Sequence, residues 1–298
     1  MVDYFQRKRN NNFLRNFSFF MPKMNATLLL IIINVIVFVI SAILGFFSNP
    51  DCSQTVCNYL ALQPNNLFLN NYWWTLITSV FVHANFFHLF VNMFSLFFIG
   101  RFLEMIIGKK RFFWIYIFSG IFAGLFFCFL AWFAGNNDIL IKIFNNKETF
   151  AVGASGALFG IAGVLAFLVP KNKVYLIMGP ILAIILEAIL MQFIENSSYI
   201  TILSLIINIY IIIAVFSMFS INSRLRLISL PLAMPFWMLP IAAVVPLIVI
   251  GFFVNLPIGN MAHLGGFILG ACYGIYLRLR YKKKTQIICD YFSRCSQY

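Results

Sequence analysis

From Asn25 to Phe47 the chain runs through 23 residues without a charged side chain. At about 1.5 Å per helical residue that length crosses the roughly 30 Å hydrocarbon core of a bilayer. No small-residue cleavage site follows, so the stretch reads as a retained helix and not as a signal peptide. Comparable apolar runs recur at about 76–99, 112–134, 153–170, 174–194, 199–220, 232–254 and 261–278. Hydrophobic residues make up 62% of the chain and charged residues 10%. That composition excludes a soluble fold and predicts an all-α polytopic membrane protein of about eight transmembrane helices.

The net charge of +13 would suit nucleic acid if the cations formed a patch, but they punctuate the apolar runs instead. Arg7, Lys8, Arg9, Arg15 and Lys23 make residues 1–24 a basic cytoplasmic tail. Lys109, Lys110 and Arg111, then Lys171 and Lys173, then Arg224 and Arg226, then Arg278, Arg280 and Lys282 to Lys284 mark the later inner turns. With Arg101 and Arg294, 19 of the 21 basic residues fall on one side and two, Lys142 and Lys147, on the other, the asymmetry expected of cytoplasmic loops. Both termini are therefore expected inside, with one membrane domain over 25–281 and a second cytoplasmic tail over 282–298. The loop 48–75 has no lysine or arginine and is expected outside. Its Cys52 and Cys57 suit either a small disulfide or two free thiols, and Trp73 and Trp74 mark the entry of the second span.

Few polar groups lie in the apolar runs, and polar groups at that depth default to function. Gly153 to Gly160, read Gly-Ala-Ser-Gly-Ala-Leu-Phe-Gly, sets Ser155 between small residues at the start of the fourth span. All three histidines, His83, His88 and His263, sit in or beside apolar segments. Ser155 lies 16 residues before Lys171 and His263 lies 15 before Arg278 (171 − 155 and 278 − 263). Both are then about 23 Å above the inner face at the tops of descending helices. Gly156 and Gly160 form one small-residue face, and Gly266, Gly270 and Gly274 another, so the two helices can approach closely.

A serine hydroxyl becomes a good nucleophile when a neutral imidazole accepts its proton, which assigns His263 as the base. No Asp or Glu lies near His263 in sequence, so a dyad is expected. His88 and Asn92, four residues apart on one helical face, are the expected oxyanion donors, and the Ser155 amide in the first helical turn adds a third. His83, five residues before His88, is turned partly away and reads as an interfacial polar residue. Glu187 in the run 174–194 reads as a protonated acid bonded to a neighbour, with gating or ion coupling as the other role. A transporter using Glu187, Gln192 and Glu195 as a polar pathway is the rival class, but it gives no reason for the matched depths of Ser155 and His263.

In Gly153-Ala-Ser-Gly156, in Ala262-His-Leu-Gly-Gly266 with Gly270, and in His83, His88 and Asn92, the chain resembles the rhomboid intramembrane serine proteases. Gly100, Glu104, Gly108, Tyr116, Ser119 and Gly120 extend the resemblance, which covers about 70–170 and 230–280. It implies a six-helix core, cleavage of a transmembrane protein substrate in or beside its membrane segment, no cofactor and no metal; nucleic acid is already set aside by the placing of the cations. Ser155 is then the nucleophile, His263 the base, and His88 and Asn92 the oxyanion donors, with His83 and Gly153 in support. Phe159 stands where the family stacks an aromatic ring on the histidine. The active site is expected to open toward the extracytoplasmic side. Two departures stand out: the outer loop reads Trp74-Thr75 where the family often has Trp-Arg, and the 108 residues from Ser155 to His263 hold three spans. An inserted helix pair within 174–225 accounts for the second. A catalytically inactive relative that binds membrane clients is the alternative within the family.

Overall fold

The computed structural model describes residues 25–44, 56–135, 137–191, 193–194, 197–251 and 259–295, and in it most of each apolar run is helical, with the helices packed around a central one. The basic lead 1–24, Cys52, the turn residues Glu195 and Asn196, and most of the turn 255–260 lie outside the described residues.

Helix α1 (Ala26–Ile43) is capped by Asn25, whose side chain accepts from Leu28 N at 2.7 Å. Its first N–H groups, which have no intrahelical acceptor, donate to the buried carboxylate of Glu104 from Ala26 (2.9 Å) and Thr27 (3.0 Å). Thr27 Oγ1 adds a third bond at 2.6 Å. An anion at a helix N-terminus satisfies both the orphan donors and the dipole.

The second span begins later than its hydropathy indicates. Residues 75–78 make a single turn, 79–85 form a loop, and α2 (Phe86–Ser95) starts only where Asn85 accepts from His88 N at 2.8 Å. A cap residue outweighs apolar character in fixing a helix start. The helix continues through a π-helical turn at Leu96–Gly100 to Ile107 and stops at Gly108, whose φ of +84° suits glycine. Helix α3 (Lys109–Ala134) then returns along it.

Helix α4 (Ser155–Leu168) is the centre, with eleven of its fourteen residues buried. At about 21 Å it is shorter than the bilayer core. Its small residues fit two neighbours. A methyl group on Gly160 would strike Ser119 of α3, and one on Gly156 would strike Ala123; the pairing 119 with 160 and 123 with 156 makes α3 antiparallel to α4.

After α4 the structure departs from the expected unbroken helices. Strand β1 (Lys173–Ile177) pairs antiparallel with β2 (Pro231–Pro235), Lys173 opposite Pro235 and Ile177 opposite Pro231. The prolines at both ends of β2 cannot serve a helix interior, and Phe236 N donates to Asn172 O at 3.0 Å to close the ribbon. Between the strands run α5 (Met178–Leu190) and α6 (Ser197–Ser217). The pair α5 and α6 thus leaves the core through a two-stranded neck. Phenylalanines return it to α2: Phe216 lies 5.9 Å from Phe90, and Phe219 lies 5.8 Å from Phe94 and 5.5 Å from Phe98.

Helix α7 (Leu239–Gly251) leads to α8 (Asn260–Arg280). A methyl group on Gly266 would overlap the Gly156 carbonyl, one on Gly270 the Gly160 carbonyl, and Gly274 sits against Val164. The register advances in the same sense on both helices, so α4 and α8 are parallel. Residues Lys282–Cys295 form α9, and Cys289 Sγ donates to Leu168 O at 3.0 Å, so most of the expected tail is a docked helix. Four helices among the described residues are long and apolar enough to cross a membrane unaided: Ala26–Ile43, Phe86–Ile107, Lys109–Ala134 and Ser198–Ser217. The chain is an integral membrane protein, and its helix lengths alone do not establish the expected eight crossings.

Candidate active site

Ser155 is the first residue of α4, and His263 lies in the first turn of α8. The glycine contacts that hold these parallel helices backbone to backbone also bring the two side chains together: His263 Nε2 is 2.8 Å from Ser155 Oγ. Phe159, one turn after the serine, stacks on the imidazole with ring centroids 4.4 Å apart and planes 19° from parallel. The Nδ1 atom of His263 is buried with no hydrogen-bond partner among the described residues. A serine that donates to Nε2 leaves the ring proton on Nδ1.

The third group of residues converges from α2. Gly153 has φ +115°, and a Cβ there would come within 2.7 Å of the His88 ring and 3.5 Å of Asn92 Nδ2. Glycine is thus required at 153 by conformation and by the close approach of His88. Asn92 is buried and donates from Nδ2 to His88 O at 3.0 Å, which sets its amide on the face that carries the His88 ring. Ser155 N–H, in the first turn of α4, has no acceptor within its helix.

His83 differs from its expected interfacial position. It is fully buried, edge-on to His88 with centroids 5.1 Å apart. Its Nδ1 lies 3.2 Å from Phe81 O, and its Nε2 accepts from Ala154 N at 3.5 Å. With Gly153 N donating to Ser79 O at 2.8 Å, it ties the loop before α2 to the residues that precede Ser155. Hydropathy does not single out Asn85 and Ser79, because the loop that holds them is apolar enough to read as helix. An asparagine three residues before His88 and followed by phenylalanines was the capping signal.

These groups face a cavity of about 1460 Å³, lined by His88, Asn92, Gly153, Ser155, Phe159 and His263 together with residues of α5, α6 and α7. No group of three or more His, Cys, Asp and Glu side chains suited to a metal occurs among the described residues. A serine hydroxyl, an imidazole within hydrogen-bond reach of it, further amide and imidazole groups, and a largely apolar cavity are groups from which an acyl-transfer site could be built.

Comparison with known proteins agrees with that class. The rhomboid domain profile matches residues 70–210. The rhomboid-family protein YdcA of Bacillus subtilis is 33% identical over 158 residues, which is 51% of this chain and 71% of that protein. Rhomboid protease AarA of Providencia stuartii is 34% identical over 136 residues, 46% of this chain and 48% of its own. Inactive RHOMBOID-like protein 8 of Arabidopsis thaliana is 32% identical over 99 residues, 33% of this chain and 24% of its own. The chain belongs to the rhomboid family. The profile match includes Ser155 and ends before His263, so the proximity of these two residues is a finding of the geometry.

Proposed function

We propose that the protein is an intramembrane serine endopeptidase that hydrolyses a peptide bond in or next to a transmembrane segment of a membrane protein. The observation that carries this reading is the 2.8 Å approach of His263 Nε2 to Ser155 Oγ at the wall of a cavity within the helix bundle. Ser155 Oγ attacks the substrate carbonyl carbon while His263 Nε2 takes its proton. The resulting oxyanion is received by His88, Asn92 and the Ser155 N–H. His263 then gives the proton to the departing amine, leaving an acyl ester on Ser155. Water then attacks the ester carbon while His263 takes its proton, and the imidazolium returns that proton to Ser155 Oγ as the C–O bond breaks and the new carboxyl terminus leaves. With no hydrogen-bond partner at Nδ1 among the described residues, the imidazole is held by stacking on Phe159 and by the packing of α8 on α4. The rest of the proposal is topological: both termini inside, α5 and α6 crossing as an inserted pair, and the cavity opening toward the extracytoplasmic side.

The test is proteolysis in liposomes containing a single-span substrate tagged at both ends. The parent protein is expected to release two fragments, and Ser155→Ala and His263→Ala are expected to release none above background. A parent protein that binds the substrate without cutting it supports the inactive, client-binding reading instead.

A further inference from the structure

The chamber that holds Ser155 is not walled by the core alone. Helices α5 and α6 each contribute one face: Ile184, Glu187 and Ala188 from α5, and Ser204, Asn208 and Ile211 from α6. Spacings of three, four and seven residues place each set on a single side of its helix. Within the long apolar middle of the pair, the polar residues Glu187, Ser204 and Asn208 all line the chamber that contains the serine.

Glu187 Oε1 accepts a hydrogen bond from Ser204 Oγ at 2.5 Å, as the expected neighbour-bonded carboxyl would. Helix pairing by itself is a poor reason to keep an acidic side chain there, because an interhelical hydrogen bond in a bilayer returns only a fraction of what the group costs. A carboxyl group has a second oxygen to offer, and Asn208, one turn along α6 from Ser204, adds an amide to the same wall.

We propose that Glu187, with Ser204 and Asn208, is a polar subsite of the active-site chamber that receives a hydrogen-bond-donating side chain of the substrate segment. The inference rests on the protease reading. An unpaired donor in a transmembrane segment is costly in lipid, so a segment carrying one amide, hydroxyl or ammonium group gains most by exchanging lipid for this wall. Glu187 is then a specificity residue: the helix pair restricts the chamber to segments that bring such a donor into register when the scissile bond reaches Ser155.

The experiment uses the full chain in liposomes and a set of substrates sharing one cleavage site, in which a single leucine is replaced in turn by glutamine along the membrane segment. The ratio of kcat/KM for each glutamine substrate to the leucine substrate is read, with fluorophosphonate labelling of Ser155 as an independent measure of a working nucleophile. The expected result is a preference of about tenfold or more confined to one or two adjacent positions, carried mainly by KM. Glu187→Leu is expected to bring that ratio close to one at those positions, Ser204→Ala to lower it, and Glu187→Gln to retain part of it. A purely structural role for Glu187 would change all substrates alike and leave the ratio in place. An unchanged ratio in Glu187→Leu, or a parent that labels and cleaves with no positional preference, overturns the subsite and leaves the protease reading standing. A parent that neither labels nor cleaves removes both.

Discussion

At the scale of the residue, the site depends on contacts that leave no room for a spare atom. Gly153 lies against His88, and Asn92 holds its amide through the His88 carbonyl one turn back. If Asn92 donates to the oxyanion, Asn92→Ala should lower turnover of a transmembrane substrate by about 10² to 10³-fold while leaving KM nearly unchanged, since the donor acts on charge that develops in the transition state. Turnover at the parent rate would remove Asn92 from the oxyanion site. That Ser155, His263, His88 and Asn92 share one cavity wall was legible in the sequence, because polar groups in lipid-length apolar runs are few and two of them matched in depth. The role of His83 was not legible: its partners, Phe81 O and Ala154 N, are backbone atoms brought to it by a loop that reads as helix on hydropathy.

Helices and strands were legible wherever hydrophobic length and helical geometry agree. Helix α1 and the glycine face joining α4 to α8 came out as expected from the spacing of Gly156, Gly160, Gly266, Gly270 and Gly274. The start of α2 at Phe86 and the β1–β2 neck did not, because a cap at Asn85 and the paired prolines of β2 redirect apolar sequence that would otherwise continue as helix. Glu104 belongs to this scale, since it joins the end of the second span to the start of α1 through Ala26 N, Thr27 N and Thr27 Oγ1. Glu104→Ala removes the two oxygens that accept these three bonds, and the expected loss is about 2 to 4 kcal/mol. It should appear as a clear fall in Tm of the detergent-solubilised protein, larger than that of Thr27→Val, which removes one bond. Equal melting of parent and Glu104→Ala would show that the clamp contributes nothing.

For the whole molecule, the proposed insertion of α5 and α6 between the neck strands turns on how many times the chain crosses the membrane. The parallel packing of α4 and α8 requires an odd number of crossings between them, and α5, α6 and α7 supply three if each crosses. A positive-inside reading then puts Ser223, beside Arg224 and Arg226, in the cytoplasm and Ser197 outside. Single cysteines at these two positions, in a chain whose six native cysteines are replaced, should differ toward an impermeant maleimide on intact cells, Ser197→Cys labelling and Ser223→Cys not. Alike labelling would mean that the pair does not cross, which the neck also permits.

The central claim, that Ser155 is made nucleophilic by His263, is tested most directly by a fluorophosphonate probe on the purified protein, because the reaction needs no knowledge of the substrate. Attack by Oγ on phosphorus expels fluoride, with His263 taking the hydroxyl proton. The parent protein should carry the label on a peptide containing Ser155, and both Ser155→Ala and His263→Ala should reduce labelling to background while remaining folded. Label of equal intensity in the two variants, or none in the parent, would contradict the account.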